Sequence, residues 1–543
     1  MKMIYKIKKY FVITLLSCFF VTSSCSDWLD LMPTEGVVEN DYWQTKEDVF
    51  AVLMGCYSSL LNNNLVSNMV YWGELRADLI TGSSSASSNV MNIVRGEITP
   101  ENSIVGWSEF YTTISYCNKL IDKSRLVRDI DMSFTDLLYR QYRAEAIAIR
   151  SLMYFYLVRS FSDVPFVTVS SDTDQQDYYY DKTPGAAIMD SLTLHLEREL
   201  PNFSVNLGNN DANKGRMTRW AVLSLLADIH LWKGNYQRTI EYCNQIIESG
   251  QFSLIMPNEG DFERIEILDP ITYEVIAEPS VASTVYIDRL FDELYVEGNS
   301  VEGIFEFQFP RTHETLGDPF YSLFRGTTTV SPLIPNEENL MENIFPPFEY
   351  ANIDGRPRDV RGSGFAYKGG YIWKWVGTSA SGNTLRTQRN FPKWIVYRYA
   401  DILLMKAEAL NQSGRDDQEK LKESYELVQQ IRYRANAVDT EQVYISESDH
   451  YDASALEQLI LAERAREFVG EGKRWYDVLR FSLRTFQQGS SSHYLQTLAV
   501  VSTPPEKIAS LQEKYRHFWF LYWPIDVKTV EIMKLEQNPF YLR

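Results

Sequence analysis

The chain has 543 residues, with 53 Lys or Arg and 72 Asp or Glu, so its formal net charge at pH 7 is −19. Proteins that bind nucleic acid gain affinity from basic residues that neutralise phosphates, so this acidic chain is predicted not to bind DNA or RNA. Strongly anionic ligands are disfavoured for the same reason. A hydrophobic fraction of 45% over this length is sufficient for a large core, in one elaborate domain or two.

The N-terminus has the pattern of a secretion signal that ends at a lipidated cysteine. Four lysines in the first nine residues precede an apolar run at 11–21, and small residues then lead to Cys25. The run is shorter than the roughly 20 residues that a membrane-spanning helix needs. We expect residues 1–24 to be a signal peptide and Cys25 to carry lipid, so that the anchor alone holds the protein to a membrane. Lipidation at Cys18 is the alternative.

Amphipathic helices are predicted in the first third of the chain. Apolar residues recur at spacings of three and four over 45–61, 104–123 and 136–161. Residues 66–100 are irregular and include a run of serine, alanine and asparagine at 83–89. We expect this stretch to form a ligand-facing loop.

The middle of the chain carries the pattern of a tetratricopeptide-like helical hairpin. Ala227 is small enough for two helices to approach, and Gly234 turns the chain seven residues later. The same alanine-to-glycine interval recurs at 407–414 and 465–472. The three intervals are not regularly spaced, so the sequence predicts a helical-repeat scaffold interrupted by long insertions.

The largest interruption lies at 255–392, where Gly, Pro, Thr and Ser concentrate and helical periodicity fades. Loops of such length usually carry function. The predicted organisation is therefore a signal peptide at 1–24, an N-terminal helical part at 25–254, a loop-rich insertion at 255–392, and C-terminal helices with a closing segment at 393–543.

No motif indicates catalysis or a cofactor. The six histidines stand alone without metal spacing, and there is no nucleophile elbow. We predict a protein that is not an enzyme and has no cofactor or metal. Cys56, Cys117 and Cys243 lack metal-ligand spacing and are predicted to be buried small residues. The acidic stretch at 172–177 lacks the glycine and final glutamate of a calcium-binding EF-hand loop, so a solvated turn is favoured.

Several segments together resemble the SusD/RagB family. The C-terminal signature consists of RYADILLMKAEA at 398–409 and ERAREFVGEGKRWYD at 463–477. Weaker matches lie at 144–165, 215–221, 303–309, 523–525 and 537–539.

The resemblance implies a mainly α fold, with tetratricopeptide-like hairpins in a right-handed superhelix and a loop-rich ligand-binding insertion. It also implies a lipoprotein of a Bacteroidetes-type bacterium, anchored in the outer membrane and facing outward. Such proteins capture oligosaccharides and deliver them to a SusC-like TonB-dependent transporter. Neutral glycans are expected here rather than anionic ones. Capture of peptides, as in the RagB branch, is the alternative.

Two regions combine aromatic and polar residues in the way a carbohydrate site requires. The first includes Trp72, Arg76, Asp78 and Asn89, and the resemblance places a polar ligand contact in this region. Aromatic residues here would act as exposed platforms on which sugar rings stack. Packing of Trp72 against the scaffold is the alternative.

The second region follows the internal strand of the insertion, where Tyr321 and Phe324 are candidate platforms. Packing of Tyr321 within the insertion is again the alternative. Further along, Trp373 and Trp375 alternate with other residues on a predicted strand. Trp373 is a candidate ligand contact, whereas Trp375 is predicted to be buried. The charged residues of the C-terminal signature are predicted to form ion pairs that hold helices in register.

Overall fold

The computed structural model describes residues 42–170, 179–269, 271–277, 280–310, 319–325, 331–336, 344–345, 359–362, 367–368, 371–376, 392–437, 450–487 and 489–542. The fold is mainly α, as predicted from the sequence. Within these residues no single helix is long and apolar enough to cross a membrane. The bent pair Lys46–Ser59 and Asn63–Glu74 meets that requirement only jointly, by length and composition.

The N-terminal part is built around one long buried helix. Its helices are α1 (Lys46–Ser59), α2 (Asn63–Glu74), α3 (Ser88–Val94), α4 (Ser108–Ile130) and α5 (Asp136–Phe161), and strand β1 (Ile80–Gly82) lies between α2 and α3. Every residue of α5 from Ala144 onward is buried, because α1 and α4 pack against it. Helix α1 begins at a capping box in which Thr45 and Asp48 each bond the other's backbone N–H.

The predicted helical hairpin is confirmed. The elements that follow are β2 (Val164–Pro165), β3 (Lys182–Thr183), α6 (Gly185–Glu199), α7 (Asn210–Gly215), α8 (Arg219–Trp232) and α9 (Tyr236–Glu248). Gly234 adopts a φ of +75° at the turn between α8 and α9, a conformation that suits glycine. Across the hairpin, the Thr239 hydroxyl donates to the Ala227 carbonyl at 3.3 Å.

The insertion begins as a β-ribbon and then returns to the core. Its elements are β4 (Phe262–Arg264), β5 (Ile267–Leu268), β6 (Val275–Ala277), β7 (Ser280–Ala282), α10 (Thr284–Phe291), β8 (Gly303–Phe307), β9 (Leu333–Pro335), β10 (Tyr367–Lys368), β11 (Tyr371–Ile372) and α11 (Trp373–Val376). Two π-helical turns lie at Asp292–Glu297 and Tyr321–Arg325. Each sheet within the described residues is an antiparallel pair of strands.

A second hairpin repeats the first in the C-terminal part. The remaining elements are β12 (Trp394–Arg398), α12 (Tyr399–Ser413), α13 (Gln418–Arg434), α14 (Ala453–Phe468), α15 (Arg474–Leu483), α16 (His493–Thr497), α17 (Pro505–Lys514) and α18 (Val527–Met533). Short 3₁₀ turns lie at Ser103–Val105, Leu200–Asn202, Phe518–Leu521 and Pro539–Tyr541. The Ser424 hydroxyl donates to the Ala407 carbonyl at 2.7 Å, the counterpart of the Thr239 bond in the first hairpin. Helix α12 packs against α9, so the two hairpins stack.

The insertion is continuous with the helical scaffold. Its strand β8 is fully buried and pairs with β12, which lies directly after the insertion. Phe320 stacks on both Trp375 and Trp394, with ring centroids 5.0 and 5.6 Å apart. The described part of the insertion therefore shares one core with the C-terminal helices.

Candidate functional site

Three distant segments of the chain meet at β1. Strand β1 pairs with β9 of the insertion, and the Ser83 backbone N–H donates to the Pro332 carbonyl at 2.9 Å. The Asn336 amide then donates to the Ser502 hydroxyl of the C-terminal part at 3.1 Å. The prediction that residues 66–100 are irregular is wrong, because the end of α2, strand β1 and helix α3 lie in this stretch. It is fixed against both the insertion and the C-terminal part, and its ligand-facing role stays a prediction.

Small polar residues form the accessible surface of this junction, which we call the polar rim. The rim consists of the exposed or half-buried residues Ser84, Ser85, Ser87, Ser88, Asn89, Asn92 and Ser103. Hydroxyls and amides both donate and accept hydrogen bonds, so the rim suits a neutral ligand rich in hydroxyl groups.

Asn102 holds the two halves of the rim together, a role that the sequence reasoning missed. Its amide donates to the Asn89 carbonyl at 2.9 Å, while its Oδ1 accepts from the backbone N–H of Ile104 at 3.0 Å. The Asn89 amide in turn donates to the Ser103 hydroxyl at 2.7 Å. An asparagine directly before an apolar helical turn is a cap signal that the sequence does contain, but the contact with Asn89 is not local.

The prediction that Trp72 is an exposed platform is wrong. Its ring is fully buried and stacks on Phe110 with a centroid separation of 4.7 Å. The edge of Phe161 meets it at 5.0 Å, and the indole N–H donates to the Ile104 carbonyl at 2.8 Å. Trp72 therefore packs against the scaffold, as the alternative interpretation held.

Arg76 is also wrong as a ligand contact in this structure, because it is buried among C-terminal side chains. Its guanidinium donates to the carbonyls of Phe520 at 2.5 Å and Leu521 at 2.9 Å. It lies 4.4 Å from the centre of the Trp475 ring, a cation–π contact at a buried position. Arg76 fastens the end of α2 to the C-terminal part.

Asp78 is likewise a buried structural residue, and its prediction as a ligand contact is wrong. Its two carboxylate oxygens accept from Nε and Nη2 of Arg474, each at 2.7 Å. Next to this pair, Glu74 Oε1 accepts the backbone N–H groups of Gly472 at 2.7 Å and Lys473 at 3.3 Å. Burial raises the pKa of Glu74 to about 8. The residues from 74 to 78 are thus held by buried contacts with the C-terminal part, directly before β1.

The structure gives different outcomes for the other predicted ligand contacts. Asn89 lies on the polar rim and stays a predicted ligand contact. Phe324 is fully buried, so its prediction as a platform is wrong. The backbone of Tyr321 lies in a π-helical turn and that of Trp373 in α11, but the side chains of both are outside the described set. The predicted strand through Trp373 and Trp375 is wrong, since β11 ends at Ile372. The predicted burial of Trp375 is confirmed, and its indole N–H donates to the Gly470 carbonyl at 2.7 Å.

Two further predictions concern residues that the structure does not describe. Cys25 and the rest of 1–41 lie outside the described set, and so does the acidic stretch at 172–177.

Within the described residues, no group of three or more His, Cys, Asp or Glu could hold a metal ion. The predicted burial of the cysteines is confirmed, since Cys56, Cys117 and Cys243 are buried free thiols.

Comparison with known proteins identifies this architecture. A family model described as the SusD family matches residues 334–541, and one described as "Starch-binding associating with outer membrane" matches residues 27–231. The chain belongs to the SusD/RagB family. The two matches include both the rim and the C-terminal signature.

Relatives of known sequence or structure agree with this assignment. A SusD-like protein of Formosa agariphila is 27% identical over 85% of this chain and 88% of its own length. A SusD superfamily structure from Bacteroides vulgatus has a TM-score of 0.68 at 19% identity, covering 92% of this chain and 99% of that one. One from Bacteroides thetaiotaomicron has a TM-score of 0.65 at 19% identity, covering 91% and 100%. The solved structures show the SusD-like fold.

The SusD/RagB signature forms a buried ionic network in this chain. Glu467 accepts hydrogen bonds from Arg361 of the insertion, Arg398 of β12 and Arg434 of α13. Although burial alone would raise it, these guanidinium groups hold the pKa of Glu467 well below its ordinary value. The network ties the insertion to three C-terminal elements.

The other charged residues of the C-terminal signature are also buried and paired, which confirms the prediction that they form ion pairs. The pairs formed by these residues are Glu463 with Arg361, Arg466 with Glu463, Glu471 with Arg398 and Lys374, and Arg474 with Asp78. Because they are buried, breaking one of them would leave an unpaired charge. Sequence reasoning did not find Arg361, since it lies in the insertion far from the signature motif.

Proposed function

We propose that this SusD-like protein captures oligosaccharides at the cell surface and delivers them to a SusC-like TonB-dependent transporter, without altering them. The observation that carries the proposal is the pair of family matches, which together span most of the chain. One of these families is described by starch binding and association with the outer membrane. The proposed place of the protein is the outer membrane, with lipid at Cys25 and the rim facing outward.

The polar rim supports a neutral glycan as ligand. It offers hydroxyls and amides on the chain that follows β1, a strand fixed by its pairing with β9. A fixed loop loses little conformational freedom when ligand binds, which favours affinity. The net charge of −19 disfavours anionic polysaccharides. A binding role without catalysis agrees with the absence of a catalytic motif in the sequence.

Affinity electrophoresis tests this function. The purified protein is run through gels that contain neutral plant, fungal, bacterial or mucin glycans, and release of reducing sugar is assayed in parallel. We expect retardation by at least one glycan without release of sugar. The rim variants Asn89→Ala and Asn92→Ala should reduce retardation. The control Asn64→Ala replaces an exposed asparagine in the first turn of α2, outside the rim, and should not reduce it.

Three results would speak against capture of an intact glycan at the rim. Retardation accompanied by sugar release would contradict a non-catalytic role. No retardation by any glycan, together with binding of extended peptides, would favour the RagB-like alternative. Retardation that is equal in all three variants would place the glycan site away from the rim.

A further inference from the structure

Two of the buried cysteines face each other across the helix pair α1 and α4. Cys56 lies in α1 and Cys117 in α4, and both side chains are fully buried. The Cys117 thiol forms a hydrogen bond with the Cys56 thiol. Both are thiols in the structure. The third buried cysteine, Cys243, lies in α9 of the first helical hairpin.

Contacts on either side of the two thiols fix the register of the helices. The hydroxyl groups of Ser59 and Thr113 are hydrogen-bonded at 2.9 Å. At the other end of α1, the Lys46 backbone N–H donates to Asp131 Oδ2 at 2.9 Å. The helices are therefore antiparallel, so one turn before Ser59 faces one turn after Thr113. These are the positions of the two cysteines.

The arrangement meets the geometric needs of a disulfide. A disulfide requires two Cβ atoms about 4 Å apart and sulfurs that point towards each other. Serine, threonine and cysteine side chains at this contact are small, which lets the helices lie close together. The hydrogen bond between the thiols shows that the sulfurs point towards each other. Bond formation therefore keeps the register that the helices already have.

The chain between the two cysteines carries the polar rim. Helix α2, strand β1 and helix α3 lie between positions 56 and 117, and so do all the rim residues. A cross-link that closes a long loop restricts the unfolded chain and thereby stabilises the folded one. A covalent bond at this place would hold both ends of the rim segment on the scaffold.

Export decides the redox conditions that these thiols meet. Disulfides form and persist in compartments outside the cytoplasm, where the proposed function places this protein. We propose that Cys56 and Cys117 form a disulfide while the exported protein folds, and that Cys243 stays a thiol. The proposal rests on the surface location in the proposed function and goes beyond glycan capture.

The bond forms by exchange with an oxidant that itself carries a disulfide. One cysteine thiolate attacks that disulfide and releases one thiol, and the second cysteine attacks the mixed disulfide and releases the other. The two protons of the cysteines end on the two thiols of the reduced oxidant. In the folded protein, burial and the adjacent Cys56 thiol raise the pKa of Cys117 well above its ordinary value. The exchange therefore takes place before α1 and α4 close over the thiols.

Peptide mapping of the exported protein tests the proposal. The full chain is exported by a bacterial host through its own signal, cells are quenched in acid, and free thiols are blocked with iodoacetamide in denaturant. Trypsin then places the two cysteines in separate peptides, 47–76 and 96–119. We expect these peptides to be joined by a bond that dithiothreitol cleaves. Cys243 should carry the alkyl group, which also shows that no oxidation occurred after lysis.

Thermal unfolding of two matched variants measures the effect of the bond. Cys117→Ala and Cys243→Ala remove the same atoms from fully buried positions, but only the first removes the cross-link. The midpoint for Cys117→Ala should lie about 4 °C below that for Cys243→Ala, as expected for a long closed loop in a chain of this size. If Cys117→Ala does not fold, the peptide map of the unmodified protein still decides.

Three results would overturn the proposal. These are alkylation of both Cys56 and Cys117 in the exported protein, a bond from either one to Cys243 or to a second chain, and equal midpoints for the two variants. Thiol mapping does not depend on sugar. A cross-linked protein that no glycan retards would therefore count against glycan capture alone, and an alkylated protein that a glycan retards would count against the disulfide alone.

Discussion

Replacing Glu74 with glutamine should remove a large pH dependence from the stability of this protein. Glu74 is fully buried, its Oε2 has no hydrogen-bond partner among the described residues, and burial raises its pKa from 4.5 to about 8. At neutral pH the folded state therefore keeps a proton that the unfolded chain has already released. Its contribution to stability is fully present below about pH 4.5 and is lost as the pH rises towards 8.

The magnitude follows from the pKa values. At about 1.4 kcal/mol for each tenfold change in proton affinity, the full effect is about 5 kcal/mol. Of this, about 2.5 kcal/mol falls between pH 5 and pH 7. Glutamine has the shape of the protonated acid and can still accept the backbone N–H groups of Gly472 and Lys473 at Oε1. Glu74→Gln should therefore fold normally, and its stability should lack the pH dependence that protonation of Glu74 causes.

Urea unfolding followed by tryptophan fluorescence measures this effect at pH 5, 6 and 7. The stability of Glu74→Gln relative to the unmodified protein should rise by about 2.5 kcal/mol over that range. Glu101→Gln, a change at an exposed carboxylate, should run parallel to the unmodified protein. If Glu74→Gln also ran parallel, the Glu74 carboxyl would not carry a raised pKa in the folded state.

Other predictions concern positions in and after the first two helices and the strength of ligand binding. Asp78→Asn should lower the free energy of unfolding by about 3 kcal/mol in urea titrations, because Arg474 would remain buried without its counter-charge; an unchanged midpoint would contradict this. Gly73→Ala should prevent folding, since a Cβ there would lie 1.9 Å from the Gly472 carbonyl oxygen. The matched change Gly55→Ala, in α1 with no atom within 4 Å of the new Cβ, should stabilise by about 1 kcal/mol, and thermal melts compare the two. Calorimetry should give dissociation constants of about 10 μM to 1 mM for short oligosaccharides, because each hydrogen bond between the rim and a sugar replaces one with water and contributes only about 1 kcal/mol; a nanomolar constant would exclude this estimate.

The helical scaffold could be predicted because its signals are local. Apolar spacing of three and four residues fixes which face of a helix is buried, and the Ala227 to Gly234 interval encodes one hairpin within a few turns. That the signature charges are paired could also be predicted, since Glu463 and Arg466 lie one turn apart on α14, but the distant partners Arg361, Arg398 and Arg434 could not.

The site residues could not be predicted as well, because their partners lie far away in the sequence. Arg76 contacts Phe520, which is 444 residues further along the chain. A tryptophan near charged residues is equally consistent with a sugar platform and with a packed anchor, and only the tertiary contacts of Trp72 decide between them. Asn89 is half-buried at the start of α3, and its role as a ligand contact stays a prediction.

In the proposed function, the protein holds a glycan and releases it unchanged. Equilibrium dialysis of the purified protein against oligosaccharides of the glycan that retards it in gels, followed by mass spectrometry of the recovered sugar, tests binding and the absence of cleavage together. We expect sugar to accumulate on the protein side, less so with Asn89→Ala and Asn92→Ala, and the oligosaccharides to be recovered at their original length. Equal sugar concentrations on both sides of the dialysis membrane, or recovery of shortened products, would show that the protein does not have this function.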